Sequence, residues 1–540
     1  MSLILGFDLG TTSLKTILVD AQGNIRAQAE HEYPIHTPHP GWAEQDPEAW
    51  WQAAIAGTRT CLAAVGEASI SAIGLSGQMH GVVLLDAAGE VLAPAVIWAD
   101  QRSSQQAREI TERIGLARLA ASAGTRVAAG FMAATLVWVQ EQQPQLWRQV
   151  RWALLPKDWL RWRLTDCLAT EPSDAAGTAL FDQQARAWSQ PILEALRIDP
   201  TILPPVIASH AVAGELTRAA ASALGLPPGI PVAAGGADQA TGALGAGIVD
   251  PQTMLVSLGT GGQLVAPLTA MRADPALRTH TFCHALPDAW YLLGAILSAG
   301  LAFRWLRDLL GDPNRAGGYD RLTELAATTP PGAEGLLWAP YLVGERTPYM
   351  DPGARGVLVG LTLRHGRGHL ARAMMEGIAL NLRNAFETMR EVGIAPQRIV
   401  MAGGGARSAL WRQIVADVFQ REVAPLQIDA QSALGAALLG AAAVGMAPDL
   451  VAASRRWTCY GPIVQPIAAH AALYDELFDL FRQVYPQHHK DFQRLARLPC
   501  LSAHSLIRPL VRSLPRPLNL GVVLPVDERN ATIPVEHRLS

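Results

Sequence analysis

Three glycine-bearing turns carry the residue types that phosphate chemistry requires. The first, Asp8-Leu9-Gly10-Thr11-Thr12, separates the apolar runs Leu3 to Phe7 and Lys15 to Val19. Gly10 lets backbone approach a ligand closely, and Thr11 and Thr12 set hydroxyls beside backbone N–H donors. A carboxylate such as Asp8 can hold Mg²⁺ directly or through water. A plain hairpin would use the same glycine for geometry alone. The second turn, Ser257-Leu258-Gly259-Thr260-Gly261-Gly262, repeats Leu-Gly-Thr between Met254–Val256 and Gln263–Ala266. The third, Gly403-Gly404-Gly405-Ala406-Arg407-Ser408, follows the run Ile399 to Ala402 and precedes a helical pattern ending at Phe419. A helix start opened by glycine favours an anion through its free N–H groups and dipole, unless it is only a sharp turn with Ser408 as cap. No G-x-x-x-x-G-K-[ST] run occurs, which argues against a P-loop enzyme.

Asp238 follows Val232-Ala233-Ala234-Gly235-Gly236-Ala237 and precedes an Ala/Gly-rich helical pattern. A carboxylate at such a strand-to-helix junction can accept a proton from a ligand hydroxyl during phosphoryl transfer. The alternative is a helix-capping aspartate. Ser76-Gly77-Gln78-Met79-His80-Gly81 is a polar turn between two apolar runs, and a polyhydroxylated ligand needs such directed partners. Trp98-Ala99-Asp100-Gln101-Arg102 adds an aromatic face, a carboxylate and a guanidinium, or else a surface ion pair.

These residues need a scaffold that converges several strand ends. Apolar runs alternate with helical patterns along most of the 540 residues, which is the signature of α/β architecture. The two Leu-Gly-Thr hairpins lie in different halves and suggest two related domains, with a boundary near residues 245–253. Helices are expected over Leu297–Leu310, His369–Glu391 and Ser408–Phe419. The Ala/Gly stretch Ala433 to Pro448 reads as a tightly packed internal helix, too weakly apolar to span a membrane. From Pro499 onward the periodicity fades, and a poorly ordered tail is expected. A formal charge of −3 excludes a general polyanion binder. Five dispersed cysteines argue against a disulfide scaffold or a structural zinc site, and Asp8 and Lys15 interrupt the apolar start too early for a signal peptide, so a cytoplasmic protein is expected.

Phe7 to Thr12, Gly77 to Gly81, Gly235 to Asp238 and Gly403 to Ser408, taken in order, resemble the motifs of the FGGY carbohydrate kinases. GVLVGLTLRHGRGHLARAMME, Gly356 to Glu376, is similar to the family's C-terminal signature. Pro156-Lys157-Asp158, Phe282 to Pro287 and Gly344-Glu345-Arg346-Thr347-Pro348 are similar to further segments. The resemblance implies two actin-like ATPase (ribonuclease H-like) α/β domains flanking a deep catalytic cleft. They would occupy residues 1–248 and 249–485, with a C-terminal extension over 486–540. It implies transfer of the γ-phosphate of ATP, with Mg²⁺, to a sugar hydroxyl. The most similar branch implies D-xylulose as acceptor, with D-xylulose 5-phosphate and ADP as products. Carried across by motif, Asp238 is the catalytic base, and Gln78, Met79, His80, Asp100 and Arg102 serve the sugar. Asp8 serves the metal, and Asp8, Gly10, Thr11, Thr12, Lys15, Gly259, Thr260, Gly404 and Gly405 serve the nucleotide. Gln239 stands where similar members carry Asn, Gly261-Gly262 replaces a Ser-Gly pair, and Met132 and Thr135 depart from the N-terminal signature. No nucleic-acid or membrane partner is expected, and a homodimer is the assembly left open. Another ketose or polyol, such as ribulose or glycerol, is the alternative acceptor. A nucleotide-driven switch on the same scaffold is the rival class, although it has no need of the 76–81 turn or Asp238.

Overall fold

The computed structural model describes residues 2–311 and 318–498. The runs flanking the first turn form an antiparallel hairpin, β1 (Ser2–Leu9) and β2 (Ser13–Asp20), continued by β3 (Ile25–Glu32). β4 (Ser69–Gly77) lies parallel to β1. β5 (Val212–Glu215), β6 (Pro231–Ala233) and β7 (Gly236–Ala237) complete a sheet ordered β5-β6-β4-β1-β2-β3, with β7 also beside β4. β1 and β4 are buried along nearly their whole length, as parallel strands covered on both faces must be.

The second half builds another sheet from β8 (Thr253–Leu258), β9 (Gly262–Leu268), β10 (His280–Cys283), β11 (Trp290–Ile296), β12 (Arg398–Ala402) and β13 (Glu422–Pro425), ordered β10-β11-β9-β8-β12-β13. The hairpin β8–β9 corresponds to β1–β2. The parallel neighbour β12 corresponds to β4, the next parallel strand β13 to β6, and the antiparallel β11 to β3. The two Leu-Gly-Thr turns therefore occupy equivalent positions in two related sheets.

Helix α1 (Pro47–Val65) covers β2 and β3, started by the Asp46 cap with Pro47 in the first turn. The remaining helices that matter to the site are α2 (Pro156–Thr165), α3 (Asp238–Gly245), α4 (Gly300–Leu310), α5 (Arg367–Glu391), α6 (Ala409–Phe419) and α7 (Gln431–Ala443). α4 starts at Gly300, three residues later than expected. Leu297 N–H donates to Glu345 Oε1, and Ala299 N–H to Thr260 O, which ties the helix start to the second turn.

The small-residue helix is where its composition led. α7 lies on β1 and β4 and against α3, with backbone meeting backbone at several glycines. A Cβ on Gly74 would come within 1.8 Å of Ala436 O, and one on Gly435 within 2.0 Å of Thr241 O. Only Gly and Ala permit backbones this close. Among the described residues no helix is long and apolar enough to cross a membrane. The C-terminal helix Ala471–Leu495 runs through Pro486, the start expected for the extension, and buries Phe492. The expected tail beyond Pro499 lies outside the described residues.

Candidate active site

Parallel register gathers the first site segments. Asp8 pairs with Ser76 across β1 and β4, and Ser76 pairs with Gly236 across β4 and β7. Three carboxyl ends thus present Asp8, the 76–81 turn and Asp238 side by side, the end of a parallel sheet where ligands bind. In the second sheet Ser257 pairs with Ala402, which brings Gly259 and Thr260 next to Gly403–Gly405.

The first turn is braced from beneath. Gly10 O accepts from Tyr33 Oη at 2.5 Å and from Gln78 Nε2 at 3.4 Å. Thr11 O accepts from Gln45 Nε2 at 2.6 Å, and Gln45 Oε1 accepts from Gln78 Nε2 at 2.9 Å. Thr11 Oγ1 accepts from Trp98 Nε1 at 2.9 Å, while Thr12 is exposed. Gln78 is buried and holds this turn, with its own Oε1 left without a protein partner. Lys15 stands opposite Asp8 on β2, and its Nζ lies 3.4 Å from Asp429 O. Arg407, beside the third turn, pairs with the Asp429 carboxylate at 3.0 Å.

Gly259, Thr260 and Gly404 are exposed and Gly405 is buried. Gly259 O and Thr260 O accept the Gly300 and Leu301 N–H groups that open α4. Gly403 has φ 81°, and a Cβ there would meet Leu258 O at 2.6 Å, so the second and third turns touch through a position that demands glycine.

Asp238 is the first residue of α3. The capping position is Ala237, which supplies no side-chain bond, so the capping alternative does not hold. Burial and the like charge of Asp8 push its carboxyl up to about 7, against hydrogen bonds from Gln239. Burial also raises Asp8, opposed by the bond from Ser76 and the Lys15 charge. His80 has φ 77° and stacks on Phe131, centroids 3.9 Å apart. Burial lowers its imidazole to about 4, with the Arg346 charge adding to the effect. A neutral ring whose Nδ1 lies 2.6 Å from Gly177 O donates there, which leaves Nε2 as an acceptor. Met79 is buried, with its sulfur 3.8 Å from Tyr291 Oη.

Matching family models settle the affiliation. The model of the FGGY carbohydrate kinase N-terminal domain matches residues 3–245, and that of the C-terminal domain matches residues 254–444. The chain belongs to the FGGY family of carbohydrate kinases. It is 37% identical over 493 residues to the xylulose kinase of Bacillus subtilis (strain 168), covering 91% of this chain and 98% of the relative. It is 38% identical over 491 residues to the xylulose kinase of Escherichia coli (strain K12), covering 89% and 98%. The crystal structure of xylulose kinase from Rhodospirillum rubrum superposes with a TM-score of 0.86 at 32% identity, covering 91% of this chain and 100% of that one. The fold is accordingly the two-domain, actin-like FGGY fold, and the protein is an ATP-using sugar kinase.

In this FGGY kinase two expected sugar residues are turned inward. Asp100 is fully buried and accepts from Ala43 N–H, Arg102 N–H and the Arg102 guanidinium. Arg102 also pairs with Glu44 at 2.7 Å and lies 3.6 Å over the Trp42 ring. The pair fastens the 42–45 segment that carries Gln45.

Spacing gave no sign of the brace beneath Asp238. Ala237 N–H donates to Ser173 Oγ at 3.0 Å, and Ser173 Oγ donates to Glu171 Oε2 at 2.8 Å. Arg161 Nη1 donates to Ala234 O at 2.9 Å and to Asp158 at 2.7 Å, and Lys157 Nζ donates to Asp158 at 2.6 Å. All of these side chains are fully buried. Burial drives the Asp174 carboxyl well up against the opposing charge of Lys157, with the neighbouring carboxylates adding to the rise. The cations Lys157 and Arg161 overcome burial to keep Asp158 low. Lys157 Nζ also lies 3.7 Å from Glu171 and 3.6 Å from Asp174, so the buried cations and acids are clustered, as burial of charge requires. Phe131 and Tyr291 were equally invisible to spacing, because each meets its partner only through tertiary packing.

Proposed function

We propose that this FGGY kinase phosphorylates D-xylulose, with Asp238 as general base. The convergence of Asp238, held at about 7 by burial and Asp8, with the His80 acceptor at one sheet end carries this reading. The similarity to kinases named for xylulose supports the choice of acceptor. In the step, the sugar hydroxyl oxygen bonds to the γ-phosphorus as its proton passes to Asp238. The bond from that phosphorus to the bridging oxygen breaks, and its electron pair leaves with ADP. His80 and Met79 position the sugar. Gly10, Thr11, Thr12, Lys15, Gly259, Thr260, Gly404 and Gly405 surround the nucleotide. Gln78, Asp100 and Arg102 act one layer back, as braces of the segments that face the ligands.

The residues present fit Mg²⁺ carried by ATP. Among the described residues no group of three or more His, Cys, Asp or Glu is gathered around a metal. Mg²⁺ commonly takes one or two carboxylates and completes its shell with phosphate oxygens and water. Asp8 supplies such a carboxylate beside a second acidic group. When bound, the ion neutralises phosphate charge. The reading keeps domains of 1–248 and 249–485 and a cytoplasmic enzyme.

ADP release with MgATP, measured against D-xylulose, D-ribulose, L-ribulose, glycerol and no sugar, tests the proposal. Stimulation by D-xylulose alone supports it. Stimulation by another acceptor moves the substrate, and sugar-independent release points to the switch.

A further inference from the structure

Ser76 and Thr241 have no part in the chemistry above, and both are fully buried. Ser76 Oγ lies 3.0 Å from Asp8 Oδ1 and 2.8 Å from Thr241 Oγ1. Each hydroxyl has one proton, and an ionised carboxylate only accepts. Ser76 therefore donates to Asp8, and Thr241 donates to Ser76. Thr241 sits one turn after Asp238 on the same helix, α3. Its backbone abuts the bare Cα of Gly435 on α7, and its methyl Cγ2 faces the bare Cα of Gly236. One rigid element thus carries the proposed base at its first residue and, a turn later, the hydroxyl that reaches Asp8 through Ser76.

We infer that Ser76 and Thr241 are positioning residues, a two-hydroxyl relay that fixes the Asp8 carboxylate relative to the α3 turn presenting Asp238. The inference rests on the roles proposed for Asp8 and Asp238. The relay ties down one Asp8 oxygen and leaves the other to face a metal-bound triphosphate. It also couples two carboxylates from distant parts of the chain, which must meet the same phosphoryl group from two sides. Removing it leaves no buried orphan at Thr241, because Ala237 O lies 3.0 Å from Thr241 Oγ1 as a second acceptor. The variants should therefore fold.

Three variants separate the relay from packing. Ser76→Ala deletes the bond to Asp8. Thr241→Val keeps the methyl against Gly236 but loses the hydroxyl, and Thr241→Ser keeps the hydroxyl but loses the methyl. ATP binding by calorimetry across a Mg²⁺ titration without sugar gives a readout independent of turnover. Ser76→Ala and Thr241→Val should each raise the Mg²⁺ concentration needed for tight ATP binding, and lower kcat, by about tenfold. The KM for sugar should not change, and Thr241→Ser should resemble the parent. Unaltered Mg²⁺ dependence and kcat in Ser76→Ala and Thr241→Val overturn the relay, as does a Thr241→Ser variant as impaired as Thr241→Val. Asp8→Asn is the control. If it binds MgATP and turns over normally, the role assigned to Asp8 fails; if it is impaired while the relay variants are not, only the relay fails.

Discussion

Replacing Asp238 by Asn should remove activity and at the same time make the protein more stable at alkaline pH. Burial and Asp8 move this carboxyl from an ordinary 3.8 up to about 7. A carboxyl raised in the folded state binds its proton more tightly there than in the unfolded chain. Stability is therefore lost as pH rises from about 4 through about 7, and the full cost is present by pH 8. The gap corresponds to about 4 kcal/mol. Asp238 is only half-buried, and solvent screening reduces this to about 1–2 kcal/mol. In a chain this long that is a rise of about 1–2 °C in melting temperature for Asp238→Asn at pH 8, narrowing as pH falls toward 5. The same group should set an acidic limb in kcat/KM for the sugar. About a tenth of the free enzyme carries the ionised base at pH 6 and about nine-tenths at pH 8. Thermal shift at several pH values and initial rates between pH 5.5 and 8.5 measure both effects. A variant no more stable than its parent at pH 8, together with a flat kcat/KM profile in the parent, would show that Asp238 is neither strained nor the titrating base.

Other parts of the site give independent expectations. His80→Ala removes the acceptor nitrogen and the stack on Phe131, and should raise the KM for sugar about tenfold with a smaller effect on that for ATP; equal KM values would exclude His80 from the sugar. Gly403→Ala puts a Cβ at 2.6 Å from Leu258 O at a φ of 81°, and nucleotide affinity should fall several-fold while sugar KM holds, as nucleotide titration would reveal. Gly74→Val forces α7 off the first sheet, where a Cβ would lie 1.8 Å from Ala436 O, and should cost about 1–3 kcal/mol or more in urea unfolding. Lys157→Met removes the cation beside Asp158, Glu171 and Asp174 and leaves Arg161 on Asp158, and should destabilise the fold by about 3–5 kcal/mol, seen as lost soluble yield.

Local sequence determined the two hairpins, the three glycine turns and the small-residue character of α7. Each depends on neighbours in the chain: alternation around a Gly-Thr turn, or an Ala/Gly run that can fit only where backbones touch. The family motifs identified Asp8, Asp238 and the polar turn, because their spacing reflects strand ends followed by turns. Tertiary structure decided what those residues face. Gln78, Asp100 and Arg102 have the residue types of ligand contacts, yet Gln78 and Asp100 hold backbone groups of neighbouring segments and Arg102 holds the Asp100 and Glu44 carboxylates, partners that only tertiary packing brings within reach. The start of α4 was misread by three residues because Ala299 is held off the helical backbone at φ −114° and ψ −96°, its N–H given to Thr260 O, a partner distant in sequence. The proton affinity of Asp238 was likewise beyond the sequence. It depends on desolvation and on the charge of Asp8, and only the parallel register of β1, β4 and β7 brings those two carboxylates to the same edge.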